Sequence, residues 1–456
     1  ASGAPYSWSS LRFARSTDQG PEAGGRNFAD GGGWGLCEGM CPEGEIHERI
    51  NIAPNANMHE LDAETGLPRL DRLVTMFHRN DAARVWQPSD IRSVNALAAS
   101  IEHLVTEVLE RRFVTSTGAP CPNVLDAAEW PAGDPPFYMT QNFVRDRLRQ
   151  VRQELTMQMG SFSLDAKRCA VDLMEVCTRF HIMVGHRCCE LGTRNFAMND
   201  VRFDEKMNSD MFTQGLSGVM SLYDDLRDHG ITCDNEAEMR AYFIVSSADP
   251  EVVSGKLRQL PAAVRTAPQI QSALRVLASV QNNDPTSFFR ELRRADYLTA
   301  CLMHPHLDRV RERALQAINR ALREGTELPL ADLQRMLMLE HNDGLVQART
   351  LAAHFGLKAA ASGAEAVVLR RGELRAPVVE LDGRQREKPL PGMVSSLIEA
   401  KRSGVPVAYL LFSPQPPALL ASDANAEVRV PKTMFKKMYT DSQSNAAPVV
   451  PETPGT

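Results

Sequence analysis

The chain has 456 residues, of which 43% are hydrophobic, and a formal net charge of -6. This length and hydrophobic content allow a sizeable core and predict about two to four structural units. The acidic balance excludes a globally basic nucleic-acid coat, so any nucleic-acid site must be a local patch.

The nine cysteines are odd in number and scattered, which differs from the disulfide framework of a small secreted protein. No apolar run approaches the roughly 20 residues of a membrane span, and the first ten residues lack the basic and hydrophobic regions of a signal peptide. We therefore expect a soluble protein with reduced thiols that is neither secreted nor inserted into a membrane.

The composition predicts four segments. Residues 1–33 are rich in Gly, Ser and Ala and predict a flexible arm, and residues 413–456 predict a flexible tail. Residues 34–326 predict a helical domain, and residues 327–412 predict a smaller C-terminal subdomain. Within the helical domain, Pro and Gly residues at 115–136 break the helical period and predict a loop.

Apolar residues recur with a period near 3.6 through most of the helical domain. One face of a helix is predicted from Val94, Leu97, Ile101, Leu104 and Val108, with capping groups supplied by Pro88, Ser89 and Asp90. A second apolar stripe holds Val144, Leu148, Val151 and Leu155, beside a basic edge of Arg145, Arg149 and Arg152. Further helices are predicted at residues 165–191, 207–226, 235–245, 269–280, 285–302 and 306–323. The pattern predicts an all-α dominated, α-helical repeat layer.

The pattern changes after Leu328. LPLADLQRMLML and VQARTLAAHFGL predict two helices, and AVVLRRGELRAPVVEL alternates apolar and polar residues about Gly372, which predicts a hairpin. Two helices followed by a hairpin are the element order of a winged helix. We therefore predict a C-terminal winged-helix subdomain.

Two groups of residues invite a chemical role. Cys37 and Cys41, with His47 nearby, would supply part of a zinc site, but structural zinc normally takes four ligands in paired spacing, so a turn that packs its own cysteines is favoured. Cys177, His181 and Cys188 share a helix face that could ligate a metal or carry a thiol nucleophile, but they border an apolar stripe, which favours core packing.

The sequence lacks the phosphate-binding, serine-hydrolase, zinc-protease and dinucleotide-binding motifs. We therefore expect a protein that is not an enzyme and uses no cofactor. A basic set lies in the C-terminal subdomain and could neutralise phosphates without reading bases, or could simply be solvated. The predicted nucleic-acid-binding residues are Arg370, Arg371, Arg375, Arg384, Arg386, Lys388, Lys401 and Arg402.

Six blocks of the sequence resemble the GANP-type (SAC/GANP) family of nuclear mRNA-export scaffolds. These blocks are GLCEGMCPEGEIHERI at 35–50, QPSDIR at 87–92, FVRDRLRQVRQELTMQ at 143–158, CTRFHIMVGHRCCEL at 177–191, NEAEMRAYFIV at 235–245 and LPLADLQRMLML at 328–339. Their order and spacing are more specific than any one block.

The resemblance implies a helical layer and winged helix of the PCI kind. It implies pairing with a second PCI protein that carries a small acidic stabilising subunit, and sequence-nonspecific binding of RNA or single-stranded DNA, within a TREX-2-like scaffold that couples transcription to mRNA export. Localisation would be nuclear, at the nuclear envelope or pore. The residues predicted to contact the partner are Leu345, Val367, Leu369 and Leu374.

An alternative stays open, because the phenylalanine-glycine repeats and the long C-terminal centrin-binding helix of some family members are not recognisable in this sequence. In that alternative the chain is a PCI-type protein-binding scaffold in splicing, transcription elongation, centrosome or proteasome-lid-like assemblies, without direct contact to nucleic acid.

Overall fold

The computed structural model of the chain divides into two compact units. The first comprises residues 1–177, 228–230 and 406–456, and the second comprises residues 178–227 and 231–405. The structure describes residues 35–62, 64–77, 86–110, 113–114, 120–121, 137–192, 203–247, 249–339, 344–360, 363–370, 372, 374, 378–381, 384–387, 395–402 and 405–412. The predicted arm, most of the predicted loop at 115–136 and the predicted tail lie outside these residues, and the predicted segment boundaries stay predictions.

The first unit contains short helices and one long helix. Two of the helices, α1 and α2, widen at their C-terminal ends into π turns at 48–52 and 104–109. The strands β1 and β2 pair antiparallel. Its elements are α1 (Glu43–His47), α2 (Val94–His103), β1 (Phe113–Val114), β2 (Pro120–Cys121), α3 (Phe137–Gln158), the start of α4 (Leu164–Gly192) and α15 (Val407–Phe412).

The apolar stripe predicted for α2 is confirmed, since Leu97, Ile101, Leu104 and Val108 are all buried. The predicted cap is wrong. Ser93 precedes the helix, and its side chain accepts a hydrogen bond from the backbone N–H of Ala96 at 3.2 Å. A serine at this position satisfies an amide that the helix itself leaves unpaired, whereas residues 88–90 form a separate single turn.

Helix α3 is the core element of the first unit. The predicted apolar stripe is confirmed, because Val144, Leu148, Val151 and Leu155 are fully buried. The neighbouring basic edge is partly buried, since Arg145 and Arg149 are half-buried. Arg152 is buried, and burial lowers the pKa of its guanidinium.

The second unit is an array of consecutive helices joined by short connections. Its helices are the end of α4, α5 (Glu205–Asp228), α6 (Glu236–Ser246), α7 (Pro250–Arg258), α8 (Ala262–Arg265), α9 (Pro268–Gln281), α10 (Pro285–Arg294), α11 (Tyr297–Ala321), α12 (Leu330–Met336), α13 (Gly344–His354) and α14 (Ser396–Arg402). The mainly α-helical repeat architecture predicted from the sequence is confirmed.

One helix break was placed wrongly. The pattern predicts helices at 285–302 and 306–323 with a break at Pro305, whereas α11 continues through that proline. The break lies at Ala295 and Asp296, where the Asp296 carboxylate accepts a hydrogen bond from the Thr299 amide at 2.9 Å and begins α11. Pro305 removes one helical hydrogen bond, but Met303 and Leu307 on either side of it are buried, and their packing keeps the helix continuous.

The C-terminal part of the second unit combines two helices with strands. The three-stranded antiparallel sheet has the order β3 (Glu327–Pro329), β5 (Gly363–Val368), β4 (Lys358–Ala360), and α12 and α13 lie between β3 and β4 in the chain. A separate hairpin pairs β6 (Val378–Leu381) with β7 (Arg384–Glu387).

The hairpin predicted about Gly372 is wrong. Among the described residues, β5 pairs with β3 and β4, and β6 pairs with β7, so Gly372 lies in the connection between two sheets. Its φ of 101° is in the region that favours glycine, so the turn itself was correctly located. Alternation alone identifies strands but does not select their partners.

Within the described ranges, each helix is too short or too polar to cross a lipid bilayer.

Candidate nucleic-acid and partner interface

Three of the six sequence blocks that carry the resemblance meet in a buried polar network of the first unit. Arg92 and Glu154 form a fully buried ion pair at 2.7 Å, and Arg92 also donates to the carbonyl of Met40 at 3.4 Å. Gln158 donates to the Arg92 carbonyl at 3.0 Å and accepts from the Gly35 amide at 2.7 Å. These polar side chains therefore join the first three blocks to one another.

A second buried ion cluster lies in the same unit. The Glu60 carboxylate, which is fully buried, contacts Arg49 at 2.5 Å and Arg147 at 3.3 Å. Arg49 also lies 3.5 Å from Glu45. Buried charges are stable only when paired, so these block residues hold the fold together and are not exposed to a ligand.

In the second unit, side chains of α11 form hydrogen bonds with the backbone of the segment that follows β5. The Asn319 side chain accepts from the Arg370 amide at 3.2 Å and donates to the Gly372 carbonyl at 3.0 Å. Gln316, one turn earlier, donates to the Leu374 carbonyl at 3.4 Å. We call the described residues of this segment, Leu369, Arg370, Gly372 and Leu374, the wing turn. These contacts could not be predicted from the sequence, because an Asn or Gln in an amphipathic helix does not reveal a distant backbone partner.

Arg370 is the predicted nucleic-acid-binding residue that the structure places most clearly. It is exposed, and its guanidinium lies over Gly356 at the C-terminal end of α13, where a Cβ would approach Nη1 to 3.4 Å. Its backbone is fixed by Asn319 while its charge faces solvent. This geometry suits contact with a phosphate.

Five other residues near the wing turn were predicted to bind nucleic acid. Arg384 and Arg386 lie on β7, opposite Leu381 and Val379 of β6. The remaining three, Arg371, Arg375 and Lys388, lie outside the described residues. The nucleic-acid role of all five stays a prediction.

The two basic residues on α14 have protein partners. Lys401 donates to the carbonyls of Arg293 and Ala295 at 2.9 and 2.8 Å, and burial lowers the pKa of its amine. Arg402 is buried, with its Nε 3.9 Å from Glu399. We therefore leave Lys401 and Arg402 out of the proposed nucleic-acid surface.

A buried polar cluster anchors α14. His186 on α4 lies between His304 of α11, with the two Nδ1 atoms 2.9 Å apart, and Glu399 of α14, whose Oε1 is 2.8 Å from Nε2. Burial and the neighbouring His186 lower the pKa of His304 to about 3. The pKa of Glu399 is lowered despite its burial, because His186 and Arg187 interact with its carboxylate.

The predicted partner-binding residues divide into two groups. Val367, Leu369 and Leu374 are buried and form part of the core of the second unit. Leu345, on α13, is 41% exposed, and its neighbour Val346 is 60% exposed. Of the four predicted residues, only Leu345 has a large exposed apolar surface that a partner could contact.

Leu345 also lines a groove of about 240 Å³. The groove is bounded by the start of α12 at Leu330, by Arg349 one turn after Leu345 on α13, and by Glu365 on β5. It therefore combines an apolar wall with one positive and one negative side chain, which is a composition suited to a protein partner.

The candidate metal and thiol sites are packed in the protein. Cys41 is buried against Ile46 and Leu73, and burial raises the pKa of its thiol. Cys177 is fully buried with a thiol pKa raised by desolvation to about 12. His181 Nδ1 lies 2.9 Å from Asn208 Oδ1. Over the described part of the chain, no three His, Cys, Asp or Glu residues are arranged to hold a metal ion.

Comparison with known proteins extends the resemblance. The model of the SAC3/GANP family matches residues 40–360. The chain belongs to the SAC3/GANP family. It is 30% identical over 347 residues to SAC3 family protein 1 of Schizosaccharomyces pombe, an alignment that covers 71% of this chain and 30% of that protein.

Two further relatives are similar over about two thirds to three quarters of the chain. SAC3 family protein B of Arabidopsis thaliana is 27% identical over 317 residues, covering 68% of this chain and 17% of the relative. Protein xmas of Drosophila melanogaster is 27% identical over 350 residues, covering 74% of this chain and 15% of the relative. The chain thus aligns with less than a third of the length of each.

Both ends of the matched range can be located in the fold. It begins at Met40, beside the buried ion pairs of the first unit, and ends at Ala360, the last residue of β4. It therefore includes the helical array with α12 and α13, and stops before the wing turn.

Proposed function

We propose that this SAC3/GANP chain is a non-enzymatic scaffold of a TREX-2-like complex that couples transcription to mRNA export in the nucleus, at the nuclear envelope or pore. The observation that carries this proposal is the family match over residues 40–360, which includes both the helical array and α12 and α13. On this proposal the chain acts by positioning other molecules.

The C-terminal subdomain acts as a winged helix of the PCI kind and pairs with a second PCI protein that carries a small acidic subunit. Support comes from the order β3, α12, α13, β4, β5 and from the exposed apolar surface of Leu345 and Val346 beside the groove. An apolar centre bordered by Arg349 and Glu365 has the character of a protein docking surface.

The wing region contributes a basic surface to sequence-nonspecific binding of RNA or single-stranded DNA. Support comes from Arg370, which is exposed and held at its backbone by Asn319. Phosphate contacts of this kind weaken as the salt concentration rises, because binding releases counterions from the nucleic acid.

The proposal is tested by reconstitution with candidate PCI partners. The purified chain should form a stable pair, and the pair should bind single-stranded RNA with an affinity that falls with salt. Replacing Arg370, Arg371 and Arg375 with Glu should remove RNA binding and leave the pair intact. Loss of the pair in this variant would instead show that these residues serve partner docking, and a wild-type pair that binds no RNA would refute the nucleic-acid part and favour the protein-binding scaffold.

A further inference from the structure

A stripe of arginines lies on the exposed side of α11. Arg309, Arg313 and Arg320 are all exposed. At about 100° per residue, these three positions fall within about 40° of one another around the helix axis. With a rise of about 1.5 Å per residue they span about 16 Å. We call these three residues the arginine stripe.

The stripe is a local departure from the acidic character of the chain. Residues 250–324 contain twelve Lys and Arg residues and seven Asp and Glu residues, a net charge of +5, whereas the whole chain carries -6. Glu312 borders the stripe, and its Oε1 accepts a hydrogen bond from Gln316 at 3.1 Å. The positive charge is therefore concentrated on this part of the second unit.

Among the residues that the structure describes, two of the three guanidinium groups have no ion-pair partner. Over the described residues, neither Arg309 nor Arg313 forms a salt bridge, whereas Arg275 and Arg294 nearby in the chain both contact Glu291. Arg309 and Arg313 line a small cleft with His306 and Asn283. The positive charge of Arg309 adds to burial in lowering the pKa of His306.

The helix that carries the arginine stripe also contacts the wing turn. Gln316 lies between Arg313 and Arg320 on the same side of α11, and its side chain donates to the Leu374 carbonyl at 3.4 Å. The side chain of Asn319, beside Arg320, accepts a hydrogen bond from the Arg370 amide at 3.2 Å. The residues that hydrogen-bond to the wing turn and the residues of the arginine stripe therefore lie on the same helix.

We propose that the arginine stripe binds the phosphate backbone of single-stranded RNA and extends the nucleic-acid path from the wing turn onto the helical array. This inference rests on the proposed function for RNA binding, and adds a site that lies outside the winged helix. Arginine side chains on a helix contact phosphates without reading bases, so the site is sequence-nonspecific.

The test uses the full chain with a fluorescent single-stranded RNA of about 20 nucleotides. In the stripe variant, Arg309, Arg313 and Arg320 are each replaced by Gln. A control variant removes the same charge from Lys256, Arg258 and Arg265, which are exposed on α7 and α8. We expect the stripe variant to bind about 10-fold more weakly, with the slope of log affinity against log salt reduced by about 2, since each phosphate contact in a single strand contributes about 0.7.

The control variant should retain most of the wild-type affinity and slope. Equal losses in the two variants would show a general charge effect and overturn the inference. So would unchanged binding in the stripe variant, although loss of binding on Arg370→Glu would then still support the proposed function. If neither the wild-type chain nor its pair with the PCI partner binds RNA, the inference and the nucleic-acid part of the proposed function both fail.

Two further measurements separate binding from folding. Thermal unfolding should be the same for the stripe variant and the wild type, because all three side chains are exposed. Replacing the three arginines with Lys should restore most of the affinity and the salt slope, since Lys supplies the same charge to a phosphate. Failure of this rescue in a normally folded protein would contradict phosphate binding.

Discussion

Arg179 and Glu238 form a two-pronged buried ion pair, in which Nε lies 2.8 Å from Oε1 and Nη2 lies 2.8 Å from Oε2. The pair joins α4 to α6 within the second unit. Since Arg179 is only 1% exposed, removal of Glu238 would leave a buried charge without this ion pair.

We predict that Glu238→Gln lowers the free energy of unfolding by about 3–5 kcal/mol, because one partner of a buried pair is expensive to remove. Urea unfolding of the full chain measures this loss. The matched control is Asp332→Asn, which breaks the exposed pair with Arg335 and should cost about 0–1 kcal/mol. Similar losses in both variants would show that burial does not determine the strength of the Arg179 contact.

Gly35 is predicted to tolerate no side chain. A Cβ at this position would overlap the Arg92 carbonyl and lie 2.7 Å from the Ile91 carbonyl, and both are backbone atoms that cannot move aside. Gly35→Ala should therefore destabilise the protein by about 1–3 kcal/mol. Gly44→Ala is the control, since a Cβ there meets nothing within 4 Å and alanine favours the helix α1. Equal stabilities of the two variants would contradict the close approach.

The buried His304 predicts a pH dependence of stability. Its pKa is about 3 in the folded protein and about 6.5 when unfolded, so the unfolded state binds the extra proton between these values. The stabilisation is complete above pH 6.5 and is lost as the pH falls toward 3. Between pH 7 and pH 5 the loss should be about 2 kcal/mol, at about 1.4 kcal/mol per pH unit.

Chemical unfolding of the wild type and of His304→Asn at both pH values tests this prediction. The difference between the two proteins isolates His304 from other titrating groups, and the variant should lose less stability on acidification. An identical pH dependence in both proteins would show that His304 is not the group responsible.

Asn319→Ala should loosen the wing turn. The substitution removes the hydrogen bonds to the Arg370 amide and the Gly372 carbonyl, at a cost of about 2 kcal/mol. Hydrogen exchange of the Arg370 amide should become faster, and RNA affinity should fall although no charge is removed. An exchange rate at Arg370 equal to that of the wild type would contradict this role for Asn319.

The partner surface is tested by comparing an exposed residue with a buried one. Leu345→Asp should change stability by about 0.5 kcal/mol or less and weaken binding of the PCI partner by about 10-fold or more. Val367→Asp places an unpaired charge in the core and should unfold the C-terminal part of the second unit. Normal partner binding by a folded Leu345→Asp protein would exclude the groove from the interface.

The helical stripes were predictable because their signal is local. The faces of α2 and α3 follow directly from the spacing of Leu97, Ile101, Leu148 and Val151, and all four are buried. The path of α11 was not predictable in this way. A proline within the sequence indicates a break, and only the packing of the folded chain shows that α11 continues past Pro305.

The candidate site was harder to predict, because the role of each residue depends on its burial and on partners that are distant in the sequence. Alternation marked Val367 as a strand residue but not as a core residue, and positive charge marked Arg402 without showing that it is buried near Glu399. Conversely, the spacing of Arg309, Arg313 and Arg320 was visible in the sequence, but its meaning depended on knowing that one exposed helix carries all three.

The hydrogen bond between the Gly35 amide and Gln158 has a consequence for synthesis of the chain. The two residues are 123 positions apart, and the ribosome adds about 5–20 residues per second. About 6–25 s therefore pass between the synthesis of Gly35 and the synthesis of its partner Gln158 on α3. During translation the first sequence block is accessible to chaperones and proteases until α3 has been made.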